Sequence, residues 1–172
     1  MPYIPWYFLA APLLAISASS AALEQPQGFA WGISPDEVME ALGEGAKRVD
    51  EADARKLEGQ PELISQTDTY QGTPVIAQYH FRDGERLSVV RFYITKAADC
   101  PNFLANARTS LGKPEHSETQ EIGGLMKIKS EDYPQAEKGM WVDLVEYAHV
   151  DPARAKCHIT YRPFADGKPG AF

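Results

Sequence analysis

Apolar residues recur along this chain with two different periods. Around Val38, Ala41 and Leu42 the spacing is helical, and the segment opens with Ser34, Pro35, Asp36 and Glu37. That is an S-x-x-E capping box, with proline at the first helical position and acidic side chains where the helix dipole favours them. Ile33 and Val38 are placed as a hydrophobic staple and Gly43 is the stop, so a helix of about two turns is predicted. A second helical stretch carries Phe103, Leu104, Ala107 and Leu111 along one side. Asp99 or Cys100 is its cap, Pro101 stands near its first position, and Gly112 and Pro114 end it.

Elsewhere the period moves towards two. Residues 75–94 read as two strands joined by Asp83-Gly84, a two-residue hairpin signal. Pairing Arg82 with Glu85 and counting outward places Val75, Ala77, Tyr79 and Phe81 on one face with Ser88, Val90, Phe92 and Ile94, the expected core side. The other face then carries Gln78, His80 and Arg82 beside Leu87, Val89, Arg91 and Tyr93. Residues 63–70, turning at Gln71-Gly72, supply a neighbouring strand. Further strands are expected at 115–122, 140–150 and, after Asp151-Pro152, at 156–162. The charge-rich residues 47–59 read as a solvated helix or an irregular surface excursion, and residues 163–172 as a flexible tail. Together these elements predict one α+β domain over residues 31–162, with two short helices packed on a mainly antiparallel sheet. Each half runs from a helix ending in Leu-Gly into about three strands, a possible tandem α-β-β-β repeat.

Charge changes the picture at the N-terminus. The first 22 residues hold no Asp, Glu, Lys, Arg or His, so all 17 basic and 24 acidic side chains lie beyond them. Residues 4–16 are an unbroken run of apolar residues and proline. Its length suits a signal-peptide core and falls short of the roughly 20 residues that cross a bilayer. Ser17, Ser19, Ser20, Ala21 and Ala22 are small residues that suit cleavage after Ala22, with residues 23–30 as a linker. A periplasmic or secreted protein without a membrane span is expected. An uncleaved anchor is the competing reading, because no Lys or Arg precedes Ile4. In such a compartment Cys100 and Cys157 pair most simply as one disulfide, a reactive Cys100 thiol being the alternative. The net charge of −7 argues against a general nucleic-acid binder and against docking on an anionic membrane face.

Motifs with chemistry are scarce. There is no nucleophile elbow, phosphate-binding loop or H-E-x-x-H, so no cofactor is expected. His149, Asp151 and His158 surround one expected hairpin. With residues 151–155 as its loop, His149 falls opposite Cys157 while His158 turns to the other face, so no metal site is expected either. An odd spacing separates Glu121 from His116 and Glu118. Trp31 and Trp141 suit core anchors. The candidate binding residues are those of the polar hairpin face, Gln78, His80, Arg82, Arg91 and Tyr93, which combine arginine and tyrosine on a rigid platform. A merely solvated sheet face is the alternative.

Residues 32–43 (GISPDEVMEALG) resemble the G-x-[ST]-x-x-x-V-x-x-x-L-G entry helix of small bacterial envelope proteins of the SmpA/OmlA lipoprotein and β-lactamase-inhibitory-protein-like (BLIP-like) kind. Gly112-Lys113-Pro114 looks like the G-x-P that closes that helix. The resemblance implies helices layered on one sheet face and an exposed face that binds another protein. Departures are the missing lipid-anchor cysteine and Glu44-Gly45 after Leu42-Gly43. The expected function is a non-enzymatic binding or accessory module that meets a protein partner of the cell envelope through its exposed sheet face. A small-molecule or metal-binding protein with a pocket between sheet and helices is the runner-up, and a small extracytoplasmic enzyme the third reading.

Overall fold

The computed structural model describes residues 28–50, 52–165 and 168–169. The expected signal segment, its cleavage position and most of the linker lie outside them. The first half runs α1 (Pro35–Leu42), β1 (Ala46–Arg48), β2 (Lys56–Leu57), β3 (Gln60–Tyr70), β4 (Thr73–Arg82) and β5 (Arg86–Ile94). The second runs α2 (Cys100–Leu111), β6 (His116–Ile122), β7 (Met126–Gln135), β8 (Met140–His149), β9 (Lys156–Ala165) and β10 (Lys168–Pro169). The sheet order is β1-β3-β4-β5-β9-β8-β7-β6, with β2 on β3 and β10 on β9, and every strand pairing is antiparallel. This is the α+β fold that the sequence pattern predicts. The tandem order is present with four main strands in each half rather than three, and the halves join at their last strands, β5 and β9.

The two helices end alike. Gly43 (φ 65°) and Gly112 (φ 82°) both take a left-handed backbone that a side chain would strain. Each donates its N–H to the carbonyl four residues back, Met39 and Arg108. The repeated Leu-Gly therefore marks a repeated cap. At the start of α1 the predicted capping box is formed: the Ser34 hydroxyl accepts the Glu37 N–H at 3.3 Å, and the Glu37 carboxylate accepts the Ser34 N–H at 2.8 Å. Val38 is fully buried and Ile33 packs against the same core. Both helices lie on one sheet face, α1 against β1 and β3, α2 against β8 and β9. Ile64, Ala77, Tyr79, Phe92, Leu144 and Ile159 point into the core between them.

Three expectations are corrected. The hairpin turn holds three residues between paired positions, not two, because Asp83 (φ 52°) and Gly84 (φ 73°) turn back onto Arg82, which pairs with Arg86. A bulge between His80 and Phe81 adds a second step, leaving Ser88 as the extra residue. Two single shifts return Val90, Phe92 and Ile94 to the core face as expected, but Leu87 takes the core place assigned to Ser88. Second, β7 was not foreseen, since Lys127, Lys129 and Glu131 alternate charges where apolar residues would signal a strand. The structure neutralises them: Arg108 of α2 pairs with Glu131 at 2.7 Å and with Glu146 of β8 at 3.1 Å, and Lys129 pairs with Glu131 at 2.9 Å. Third, β9 continues to Ala165, so residues 163–165 belong to the sheet rather than to a tail.

Cys100, at the first turn of α2, is bridged to Cys157 of β9 with Cα atoms 5.8 Å apart. The bridge fits an oxidising location outside the cytoplasm. It also staples the second helix to the strand at the join between the halves. Alkylation of the denatured, unreduced protein is expected to add no label and reduction to expose two thiols. For a separation of 57 residues, reduction is expected to cost up to about 4 kcal/mol in a denaturant titration. Two labels without reductant would exclude the bridge.

Candidate functional site

Opposite the helices, the sheet carries polar side chains, and strand register sets them in rows. Gln78 of β4, Arg91 of β5, Thr160 of β9 and Asp143 of β8 stand side by side across four strands. The next row holds Ile76, Tyr93, His158 and Val145. A cleft of about 620 Å³ opens over these rows. Arg55 and Lys56, from the crossing between β1 and β3, wall it on one side, and Ala153 and Arg154, from the turn Pro152–Arg154, on the other.

The crossing is held down by charge. Glu58 reaches Arg162 of β9 at 2.7 Å, and Arg162 also pairs with Asp143 at 3.0 Å. In the segment 47–59, expected as a solvated helix or an irregular surface excursion, the described residues form an edge strand, a short hairpin at Glu58-Gly59 and one wall of the cleft.

Of the five residues singled out from the sequence, Gln78, His80, Arg91 and Tyr93 meet in this cleft. Arg82 does not. It lies by the hairpin turn and lines a different depression, near Trp31 and Pro163. Nor is the face openly exposed: Gln78 is 4 % and His80 1 % accessible. The bulge beside His80 and the strand β3 alongside explain this, since Glu62 and Gln60 cover them. Gln78 donates its amide N–H to the buried Glu62 carboxylate at 3.0 Å.

Two histidines set aside on the expected register belong to the site. The structure pairs Tyr147 with Lys156 and Val145 with His158, so His149 falls on the face of His158, and both line the cleft. The connection is longer than expected because Asp151 accepts the Ala153 N–H at 3.0 Å and starts a short 3-10 turn. Among the described residues no group of three or more His, Cys, Asp or Glu is arranged to hold a metal ion. His116, Glu118 and Glu121 stand exposed on the edge strand β6, away from the cleft. Trp141 is half-buried, stacked on Phe164 and bonded through its indole N–H to Asp143 at 2.7 Å.

Electrostatically the cleft is one-sided. Its lining includes Arg55, Lys56, Arg91, Arg154 and Lys156, three histidines, and no Asp or Glu. Among the described residues none of the five cations has a carboxylate within ion-pairing distance, whereas Arg108 and Arg162 each pair with two. Arg91 is central. Its Nε donates to the Thr160 hydroxyl at 3.3 Å, and burial draws its pKa below the ordinary arginine value. Glu62, behind Gln78, feels Arg55 and Arg91, but burial outweighs both and raises its carboxyl pKa.

Burial, with Arg91 as a secondary cause, lowers His80 to about 4, and the same two causes lower His158 to about 3. Both rings are neutral at pH 7. His80 Nδ1 lies 3.3 Å from the Gln60 carbonyl and so carries the proton, which leaves Nε2 as a buried acceptor without a partner among the described residues.

Unfolded histidine titrates near 6.5 and folded His80 near 4, so between those values the unfolded chain binds a proton that the fold refuses. Stability should therefore fall as pH drops through that window. His80→Gln should flatten the fall by as much as about 3 kcal/mol in denaturant titrations. A variant whose profile parallels the parent's would show that His80 titrates normally. No protein-family model, curated protein or solved structure matches this chain.

Proposed function

We propose that this chain is a binding protein working outside the cytoplasm, and that the cleft on the helix-free face of its sheet receives an anionic ligand. The observation that carries this reading is the lining itself: five Lys or Arg side chains, three histidines and no carboxylate. They gather in a chain whose net charge is −7. Like charges brought together in a partly buried cleft repel one another and concentrate counter-ions there. An anion relieves the repulsion and accepts charge-assisted hydrogen bonds from Arg91 and from the rim. The disulfide and the charge-free N-terminal segment support the compartment.

The protein partner expected from the sequence would engage the same cleft by inserting an acidic group. The burial of Gln78 and His80 favours that over the meeting of two flat surfaces. Arg91, anchored to Thr160 and flanked by Gln78, would orient the anion, while Lys56, Arg154 and Lys156 would draw it in.

Ethyl phosphate titrated into isotopically labelled protein is expected to shift the NMR signals of Arg91, Tyr93, Tyr147 and His158. Binding should weaken with added salt and by about tenfold in Arg91→Gln. Shifts confined to other surfaces, or an affinity unchanged in Arg91→Gln, would remove the cleft as the anion site.

A further inference from the structure

Among the described residues three large apolar side chains stand exposed: Ile122 (42 % accessible), Leu125 (59 %) and Val150 (66 %). They are not scattered. The Leu125 N–H donates to the Ile122 carbonyl at 3.1 Å, and the Val150 N–H donates to the Leu125 carbonyl at 2.9 Å. The turn between β6 and β7 and the end of β8 are thereby locked into one apolar knuckle. Gathered exposed apolar side chains of this kind mark contact sites, whereas single ones are ordinary.

The knuckle is continuous with the cationic cleft. Met126 follows Leu125 and His149 precedes Val150. These two residues pair across β7 and β8, and both line the cleft as well as the shallow depression beside Leu125 and Val150. Between the knuckle and Arg91 stand the rings of Tyr147 and Tyr93. A path thus leads from a charged interior over aromatic and thioether surface to an exposed apolar end.

Resting on the anion reading above, we propose that the ligand is a single-chain anionic amphiphile. Its acidic head lies against Arg91 in the cleft, and its alkyl chain passes Tyr147 and Met126 to cover Leu125 and Val150. Charge complementarity fixes the head, and continuity of the apolar surface fixes the direction of the chain. A bilayer is a poorer occupant. The cations line a recessed cleft rather than a flat face, and the net charge of −7 opposes approach to an anionic surface.

The test compares ethyl phosphate with octyl phosphate, held below its micelle concentration, by calorimetric titration of the purified protein. Octyl glucoside serves as the uncharged control. Octyl phosphate is expected to bind at least about tenfold more tightly than ethyl phosphate, since each buried methylene strengthens binding severalfold. Leu125→Ser with Val150→Ser should remove that advantage while leaving ethyl phosphate unaffected. These positions are exposed and bond only through their backbones, so the fold should tolerate both changes. Equal binding of the two phosphates overturns the amphiphile and leaves the anion site standing. Octyl glucoside binding as well as octyl phosphate overturns the acidic head. An octyl advantage that survives in the double variant places the chain elsewhere and overturns the proposed path. Tighter binding to vesicles of anionic phospholipid than to octyl phosphate replaces the single chain with a membrane. Failure of both alkyl phosphates overturns this proposal together with the anion reading.

Discussion

Residues 90–93 of β5 lie against residues 158–161 of β9, and both faces of the molecule depend on that seam. Val90, Phe92, Ile159 and Tyr161 point from it towards the helices and join the core. Arg91, Tyr93, His158 and Thr160 point the other way and form the floor of the cleft. Because side chains alternate along a strand, a slip of one residue would turn the slipping strand over, putting Arg91 of β5 or His158 of β9 in the core and Phe92 or Tyr161 in water. The apolar face therefore fixes the register, and the polar face follows from it. The Cys100–Cys157 bridge reinforces the same place by tying α2 to the strand that forms the seam.

The two faces treat charge in opposite ways. Beneath α2, Arg108, Lys129, Glu131 and Glu146 balance each other within a few ångströms, and the strand β7 is tolerated in the sheet because of it. Glu131 is held below the usual carboxylate range by those partners, against the opposing effect of its own burial. Across the sheet the crossing segment brings one such balance, Glu58 and Asp143 on Arg162, to the edge of the cleft. Inside, no carboxylate pairs directly with Arg91 among the described residues, although Glu58, Glu62 and Asp143 act on it at longer range. Arg91 meets a neutral threonine and a neutral amide, and two histidines beside it surrender their protons.

How much of this could be read from the sequence varied with how local its cause was. The capping box of α1, the Leu-Gly stops and the Gln71-Gly72 turn are decided by a few adjacent residues and were legible, whereas Asp99 precedes α2 without a side-chain capping bond. The alternation that sorts Arg91 and Tyr93 from Phe92 and Ile94 was legible too. Connection geometry was not: whether two or three residues span Asp83-Gly84, or how many the Asp151 turn consumes, depends on hydrogen bonds that periodicity does not encode. The second miscount is what separated His149 from His158 in the reading. Arg55 and Lys56 were hidden for another reason. Their role comes from Glu58 reaching Arg162, 104 residues away, and a charge run alone carries no sign of its distant partner.

A fold whose local choices agree with one another elsewhere has little reason to gather five cations without an ion-pair partner among the described residues over two buried, neutral histidines. Each of these features lowers the stability of the free protein: the cations through mutual repulsion, the rings in mild acid through the proton they exclude, and His80 Nε2 through the hydrogen bond it lacks among the described residues. Such departures from internal consistency collect where a protein must recognise something. On the proposed function an anion would offset the first term directly, and by countering Arg91 it would weaken the secondary cause that lowers His80. On that proposal the groups that weaken the free protein are the ones that an anion would favour. Arg91 and His158 stand on the seam itself, so the register that holds the core together also holds them on the floor of the cleft.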